Sequence, residues 1–176
     1  MKTTGKNGRS QQVPNSSKNG KSEILEWFKS QSDIKTIVDV GAGSGTYPKL
    51  LAPADYYWIG VEIFIPYVKR FELKKYYDDL ILDDITKIEL PDADCIIFGD
   101  ILEHLVVAEV RRLVELSDKK YKHVVVSIPI DSYQRAVENN QYEKHRSIWS
   151  SEQLEQLFPE SFKIRKQFDN IYIFIK

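Results

Sequence analysis

A glycine-rich turn that follows an apolar run is the segment of this chain best suited to bind a ligand. Residues 37–47 read Ile-Val-Asp-Val-Gly-Ala-Gly-Ser-Gly-Thr-Tyr. Alternating glycines allow positive φ and let backbone amides approach a ligand without a Cβ in the way. Asp39 stands two residues before the first glycine, at the carboxyl end of the predicted strand, where open parallel sheets bind their ligands. A carboxylate there favours a cationic or zwitterionic ligand over a phosphate.

The glycine spacing also differs from that of a dinucleotide-binding turn, which has Gly-x-Gly-x-x-Gly. An acidic residue followed by Gly-x-Gly-x-Gly resembles the first motif of the class I S-adenosylmethionine-dependent methyltransferases. The resemblance implies S-adenosyl-L-methionine as cofactor and S-adenosyl-L-homocysteine as product. It assigns these residues to cofactor binding: Asp39, Gly41, Ala42, Gly43, Gly45, Thr46 and Tyr47. The alternative is a strand-to-helix turn that binds nothing.

Two further apolar runs end in acidic residues. The second run ends at Glu62-Ile63, about 20 residues after the glycine turn, where a ribose-binding acid belongs in such folds. The third is closed by Asp83-Asp84-Ile85, which is similar to the acid-then-apolar step with which the family binds adenine. We favour Asp84 over Asp83 for that contact and assign Ile63 and Ile85 to the cofactor site. Without the glycine turn, Glu62 would be interpreted as a solvated acid at a strand end.

A fourth apolar run leads into Gly99-Asp100-Ile101-Leu102-Glu103-His104. This segment is similar to the one that follows the fourth strand in many small-molecule methyltransferases and opens a helix facing the cofactor. The resemblance adds Gly99 and Asp100 to the cofactor site. Asp100 also suits a helix N-cap, and Glu103 stands where a capping box places its acid. A structural role in the first helical turn therefore weighs as much as a catalytic one.

The acceptor is expected to bind at a long polar segment after the fifth strand, because long loops in compact domains tend to be functional. Its pattern Tyr-Glu-x-His-x-x-x-Trp resembles the matching segment of small bacterial and phage methyltransferases whose acceptors are unassigned. We expect Tyr142, Glu143 and Trp149 to contact the acceptor. An oxygen acceptor needs a base, and an imidazole titrates near neutral pH, so His145 is the first candidate and His104 the second. An acceptor that is already ionised needs neither.

Composition predicts one core, since 176 residues with 42% hydrophobic side chains exceed the minimum for a self-sufficient domain. The lone Cys95 lies in an apolar run and is interpreted as a buried thiol in a reducing compartment. No Cys/His cluster has zinc-ligand spacing, so no metal is expected. No apolar stretch approaches a membrane span or a secretory signal, so a cytoplasmic protein of bacterial or phage origin, monomeric or homodimeric, is expected.

Residues 1–21 are predicted to form a basic, polar and mostly disordered arm, and residues 22–176 the methyltransferase domain. The first 22 residues carry five cationic and no acidic side chains, although the net charge of the chain is only -1. This composition cannot bury enough apolar surface to offset the ordering entropy. A segment from residue 13 to residue 21 is the exception, because in related sequences the stretch before the first helix can fold over the cofactor.

Beyond the arm, the hydrophobic periodicity alternates between strand and helix. Helices are predicted at 22–30, 46–51, 67–76, 102–116 and 151–157, and strands beginning at 36, 57, 80, 94 and 123. A final pair of strands, 162–168 and 171–175, is joined by a tight turn at Asp169-Asn170. The predicted fold is α/β: a Rossmann-like, seven-stranded, mostly parallel sheet with helices on both faces and a C-terminal antiparallel hairpin.

These patterns together predict methyl transfer from S-adenosylmethionine to an oxygen or nitrogen of a small-molecule or glycan acceptor. One alternative is a nucleic-acid methyltransferase whose basic arm steers the polymer. Against it, the Asn/Asp-Pro-Pro-aromatic tetrad of amino-methylating enzymes is absent after the fourth run. The other alternative is a non-catalytic module that keeps the fold, which has no need of three carboxylates at strand ends.

Overall fold

The computed structural model describes residues 16–137 and 140–176, so residues 1–15 of the predicted arm lie outside it. The described residues form a seven-stranded sheet of order β3-β2-β1-β4-β5-β7-β6. The strands are β1 Thr36–Val40, β2 Tyr57–Val61, β3 Asp79–Ile81, β4 Cys95–Gly99, β5 His123–Pro129, β6 Ile164–Phe168 and β7 Ile171–Ile175. Strands β1 to β5 pair in parallel, whereas β7 pairs antiparallel with both β5 and β6. The predicted fold class is confirmed.

Five α-helices cover the two faces of the sheet. They are α1 Lys21–Lys29, α2 Thr46–Leu51, α3 Pro66–Arg70, α4 Val107–Lys120 and α5 Ser151–Leu157. Alternate residues of a strand point to opposite faces, so Val38 packs with α4 and α5, while Ile37 packs with α1 and α2. The central strands are therefore buried on both faces, which fits the near-continuous apolar runs of the sequence.

Helix α5 begins with a capping box between Ser150 and Gln153. The Ser150 hydroxyl accepts from the Gln153 amide at 3.3 Å, and the Gln153 side chain accepts from the Ser150 amide at 2.9 Å. This reciprocal pair satisfies two amide donors of the first turn. Helices α2 and α5 have the predicted bounds.

Two predicted helices are divided in the structure. Helix α3 ends at Arg70, and a separate 3₁₀ turn follows at Leu73–Lys75, because Glu72 takes the left-handed conformation with φ 52°. The predicted helix 102–116 becomes a 3₁₀ turn at Leu102–His104 and then α4. Val106 is extended, and the Glu109 carboxylate accepts from its amide at 3.0 Å, so the α-helix starts at Val107, five residues later than predicted.

The edge strand β6 has exposed polar side chains, as expected of an edge strand. Strand β6 exposes Lys166 and Gln167, and polar side chains discourage pairing with another chain. The turn from β6 to β7 is formed by Asp169, with φ 53°, and Asn170, which confirms the predicted hairpin. Among the helices of the described residues, none combines the length and apolar character that a bilayer crossing requires.

Candidate active site

A cavity of about 560 Å³ lies at the carboxyl ends of the parallel strands. Strands β1 and β4 are neighbours in the sheet, and the chain order reverses between them, which is where open α/β sheets bind ligands. Most predicted site residues line this cavity: Asp39, Gly41, Ala42, Gly43, Thr46, Tyr47, Glu62, Ile63, Asp84, Ile85, Gly99, Asp100, His104, Tyr142, Glu143 and His145. Its volume falls within the roughly 300–1,000 Å³ of small-molecule sites.

The glycine turn is fastened to strand β2. The amides of Gly41 and Ala42 both donate to the Val61 carbonyl, at 2.9 and 3.1 Å. Gly43 has φ 50°, and a Cβ built there would meet only the Gly41 carbonyl oxygen, at 3.5 Å. The turn therefore leaves open space above Gly43, on the side that lines the cavity.

Glu62 connects the glycine turn to the end of β2. Its carboxylate accepts from the Gly43 amide at 2.8 Å and from the Phe64 amide at 2.7 Å. The side chain is 5% exposed, and burial raises its pKa against these two hydrogen bonds. Each oxygen keeps a second lone pair, so the carboxylate can still accept from a bound ligand.

Asp39 is held by Tyr77, a residue that sequence reasoning did not place in the site. The Tyr77 hydroxyl donates to Asp39 Oδ2 at 2.6 Å, and both side chains are buried. Burial raises the pKa of Asp39 to about 7, although Tyr77 and the nearby Lys21 oppose that shift. A buried carboxylate with this pKa is readily ionised by a cationic ligand.

Asp84 lies at the cavity wall, where its side chain is hydrogen-bonded to the residues that follow it in the chain. Its Oδ1 accepts from the Thr86 amide at 2.9 Å and the Thr86 hydroxyl at 2.7 Å, and its Oδ2 pairs with Lys87 at 3.0 Å. Burial alone would raise the pKa of Asp84, but these partners lower it. Asp83 also lines the cavity, so both acids offered for the adenine contact are present at this wall.

Asp100 is not the N-cap that the sequence predicted. It has φ 55° and turns away from the following amides, because Ser127 and the segment before α1 hold its carboxylate. Asp100 accepts from Ser16 Oγ at 2.5 Å, from the Ser17 amide at 3.1 Å and from Ser127 Oγ at 2.8 Å. Lys21 Nζ lies 3.6 Å from the same carboxylate. The chain around residues 16–21 therefore lies against the end of β4, at the cavity.

Lys21 and Tyr47 fill the space beside Gly99. Lys21 Nζ donates to the Tyr47 hydroxyl at 2.7 Å, and both side chains are buried. A Cβ added at Gly99 would overlap the Tyr47 ring. Gly99 is thus needed for the packing of Tyr47 and not only for ligand approach. The contact between Lys21 and Tyr47 carried no signal in the sequence, because the two residues are 26 positions apart along the chain.

Glu103, His104 and His145 come together at the other side of the cavity. Their candidate ligand atoms lie within 4.8 Å of one another, and the two imidazole centroids are 5.0 Å apart. Burial, followed by the Asp100 charge, raises the pKa of Glu103 well above its usual value. Burial, followed by His145, lowers the pKa of His104 to about 4, so that His104 is neutral. Glu103 is buried against the cavity and does not form the predicted capping box.

The backbone fixes this group. The Glu103 carbonyl accepts from the amides of Arg146 and Ser147, at 2.8 and 3.1 Å. The amide of His145 donates to the Gln134 carbonyl at 3.1 Å. The long segment after β5 is therefore tied to the 3₁₀ turn after β4.

Other parts of the predicted acceptor site are placed differently. Glu143 lines the cavity and accepts from the Tyr67 hydroxyl at 3.0 Å, and Tyr142 is 45% exposed at its rim. Trp149 instead lies in the core, 3% exposed, with its indole donating to Ser147 Oγ at 2.8 Å. Neither Trp149 nor Gly45 is among the lining residues, so the structure does not bring them to the cavity.

The charged side chains of the cavity wall are mostly acidic. Among the described lining residues there are eight acidic side chains, Asp39, Glu62, Asp83, Asp84, Asp100, Glu103, Glu109 and Glu143, against the two cationic side chains Lys144 and Arg146. Burial raises the pKa of four of these acids, Asp39, Glu62, Glu103 and Glu143, so they carry less negative charge than exposed acids do. Such a wall attracts cations and repels phosphates.

Comparison with known proteins bears on the fold. No protein-family model and no curated protein sequence matches the chain. Among solved structures, an S-adenosylmethionine-dependent methyltransferase from Archaeoglobus fulgidus is 22% identical, with a TM-score of 0.62 over 83% of this chain and 69% of that chain. The magnesium protoporphyrin IX methyltransferase of Synechocystis PCC 6803, solved with S-adenosylhomocysteine bound, is 12% identical, with a TM-score of 0.66 over 88% and 80%. The small RNA methyltransferase HEN1 is 21% identical, with a TM-score of 0.65 over 88% of this chain and 24% of that chain.

The strand order and the terminal antiparallel pair indicate the same fold as the similarity to these solved structures. The chain has the fold of the class I S-adenosylmethionine-dependent methyltransferases.

Proposed function

We propose that this protein transfers the methyl group of S-adenosylmethionine to a small-molecule or glycan acceptor. The observation that carries the proposal is the meeting of Asp39, Gly43 and Glu62 in one acid-lined cavity at the switch point of the sheet. S-adenosylmethionine carries a sulfonium and an ammonium group, both of which suit such a wall.

Different residues of the cavity would bind different parts of the cofactor. Glu62, fixed by two backbone amides, offers its remaining lone pairs to the ribose hydroxyls. Ile85 offers an apolar side chain for the adenine ring, with Asp83 or Asp84 for its amino group. The amino-acid tail of the cofactor would lie in the open space beside Gly43, where Asp39 supplies negative charge.

The transfer is a displacement at carbon. The acceptor lone pair forms a bond to the methyl carbon, and the carbon–sulfur bond breaks with its electron pair left on sulfur. Holding the two reactants in line supplies much of the rate enhancement. A hydroxyl acceptor must also lose its proton, and the side of the cavity with His104 and His145 is where the protein offers lone pairs for it.

The acidic wall favours a small or neutral acceptor over a polyanion threaded through the cavity. A nucleic-acid acceptor is the second candidate, supported by the basic composition of residues 1–21 and by the fold similarity to the RNA methyltransferase. The screen that separates them is an assay of methyl transfer.

The protein is incubated with S-adenosylmethionine labelled in its methyl group and with a cell extract divided into metabolite, glycan and nucleic-acid fractions. We expect label in the metabolite or glycan fraction and suppression by S-adenosylhomocysteine. Label in the nucleic-acid fraction alone would support the second candidate. Calorimetry that shows no binding of S-adenosylhomocysteine would contradict the proposed function as a whole.

A further inference from the structure

The group formed by Glu103, His104 and His145 has the composition of a metal site. It offers one carboxylate oxygen and two imidazole nitrogens, with candidate ligand atoms within 4.8 Å of one another. Glu103 and His145 are buried, and His104 is 11% exposed at its side chain. The three residues come from two segments that the backbone hydrogen bonds to the Glu103 carbonyl hold together.

Two atoms of this group are buried without a partner. Glu103 Oε2 and His104 Nδ1 form no hydrogen bond with any of the described residues. A buried polar atom left unpaired costs about 1–3 kcal/mol, so native proteins rarely keep one. Protonation of Glu103 does not remove this cost, because a carboxylic acid would bury a donor that also needs a partner.

His145 has the orientation of a metal ligand. Its Nδ1 lies 3.0 Å from the Ser132 carbonyl oxygen, which can only accept, so Nδ1 carries the proton. The lone pair is then on Nε2. Imidazoles that bind metals usually donate their other ring nitrogen to a carbonyl or carboxylate in this way.

The surrounding charge favours a cation. Asp100 and Glu143 act on Glu103 with negative charge, and Lys21 opposes them only weakly. Lys21 is itself engaged with Tyr47 and Asp100. A positive ion between Glu103 and the two histidines would have a carboxylate oxygen and two imidazole nitrogens within reach, and it would reduce the repulsion among the acids.

We infer that Glu103, His104 and His145 bind one divalent first-row transition-metal cation, such as Mn²⁺, Co²⁺ or Zn²⁺. Two imidazoles and one carboxylate select such ions over Mg²⁺ and Ca²⁺, which prefer oxygen ligands alone. Three protein ligands leave coordination positions open to the cavity. This differs from the expectation of no metal, because these ligands lack the spacing of a Cys/His motif and are assembled by the fold.

The consequence for catalysis depends on the proposed function. A cation at this position would hold an acceptor hydroxyl and ease the loss of its proton to water. The oxygen lone pair would then form the bond to the methyl carbon as the carbon–sulfur bond breaks. His145 would be a ligand of the cation and not the general base.

The test is a direct measurement of metal binding. The full chain is treated with EDTA and titrated by calorimetry with Mn²⁺, Co²⁺, Zn²⁺ and Mg²⁺ in turn. We expect one site with micromolar-range affinity for at least one transition metal and much weaker Mg²⁺ binding. Glu103→Gln, His104→Gln and His145→Gln should each reduce the affinity at least tenfold. His123→Gln is the matched control, since His123 also faces a carboxylate, Asp33, but at the opposite end of β5.

A second readout needs only the wild-type chain. On addition of Zn²⁺, the imidazole NMR signals of His104 and His145 should shift while those of His123 do not. Wild-type protein that binds none of Mn²⁺, Co²⁺ and Zn²⁺ more tightly than millimolar, or three variants that bind as well as His123→Gln, would overturn the inference. Binding of S-adenosylhomocysteine in EDTA is measured in parallel, so that failure of the metal site is distinguished from failure of the proposed function.

Discussion

Buried polar side chains on the two sides of the cavity differ in their hydrogen bonding. On the side proposed for the cofactor, Glu62 accepts from two backbone amides and Asp39 from the Tyr77 hydroxyl. On the side proposed for the acceptor, Glu103 Oε2 and His104 Nδ1 have no partner among the described residues. The acids of the first side are hydrogen-bonded within the protein. The second side keeps two buried polar atoms without a partner among the described residues, and it is where the metal ion is proposed to bind.

The largest expected effect concerns the open space above Gly43. Gly43→Trp should lower the affinity for S-adenosylhomocysteine by more than about 100-fold, because a large side chain would fill the cavity beside Glu62. Gly43→Ala is the matched control. It carries the same left-handed backbone cost, about 1–2 kcal/mol of stability, without the bulk. Calorimetry checks both, and equal losses in the two variants would show that strain and not occupancy is responsible.

An intermediate effect compares the two buried acids directly. Glu62→Gln should lower the free energy of unfolding by about 1.5–3 kcal/mol, because an amide cannot accept from both backbone donors as a carboxylate does. Glu103→Gln, measured in EDTA, should leave stability within about 1 kcal/mol of wild type, since it removes a carboxylate that burial already disfavours.

Urea unfolding at pH 8 measures both variants. A loss in Glu103→Gln as large as that in Glu62→Gln would remove the distinction between the two sides.

The last expected effect, at most comparable in size and visible only as a pH dependence, is caused by Asp39. Its folded-state pKa of about 7 lies above the ordinary value of 3.8, so the folded protein holds the proton more tightly than the unfolded chain between these values. The contribution to stability is therefore full at low pH and is lost as the pH rises towards 7.

Asp39→Asn keeps an acceptor for Tyr77 but does not ionise. As the pH rises from about 5 to 7, the free energy of unfolding of wild type should fall relative to that of the variant. The fall should be at most roughly 1.4 kcal/mol per pH unit. Urea unfolding at several pH values gives this difference. A difference that stays constant with pH would mean that Asp39 is ionised throughout.

The sequence predicts the parts of the fold that depend on local signals. The hydrophobic periodicity places α2 and α5, and the pair Asp169-Asn170 places the terminal turn. The apolar runs predict β1, β4 and β5 most clearly, because almost every residue of these central strands is buried. The strand ends in turn predict which residues line the cavity, since the carboxyl ends of parallel strands meet at one edge.

The remaining features depend on partners far apart in the chain. Asp100 suits an N-cap locally, but Ser16 and Ser127 bind its carboxylate, and neither is adjacent in sequence. Trp149 stands in a polar segment, yet it packs into the core. His145 also depends on distant partners. It lies near Glu103 because the amides of Arg146 and Ser147 donate to the Glu103 carbonyl.

The most direct test of the central claim is a crystal structure of the chain with S-adenosylhomocysteine. We predict the ribose hydroxyls within hydrogen-bond distance of Glu62, the adenine beside Ile85 and the amino-acid tail over the glycine turn near Asp39. A ligand bound elsewhere, or a chain that excludes the ligand at saturating concentration, would contradict the assignment of this cavity to the cofactor.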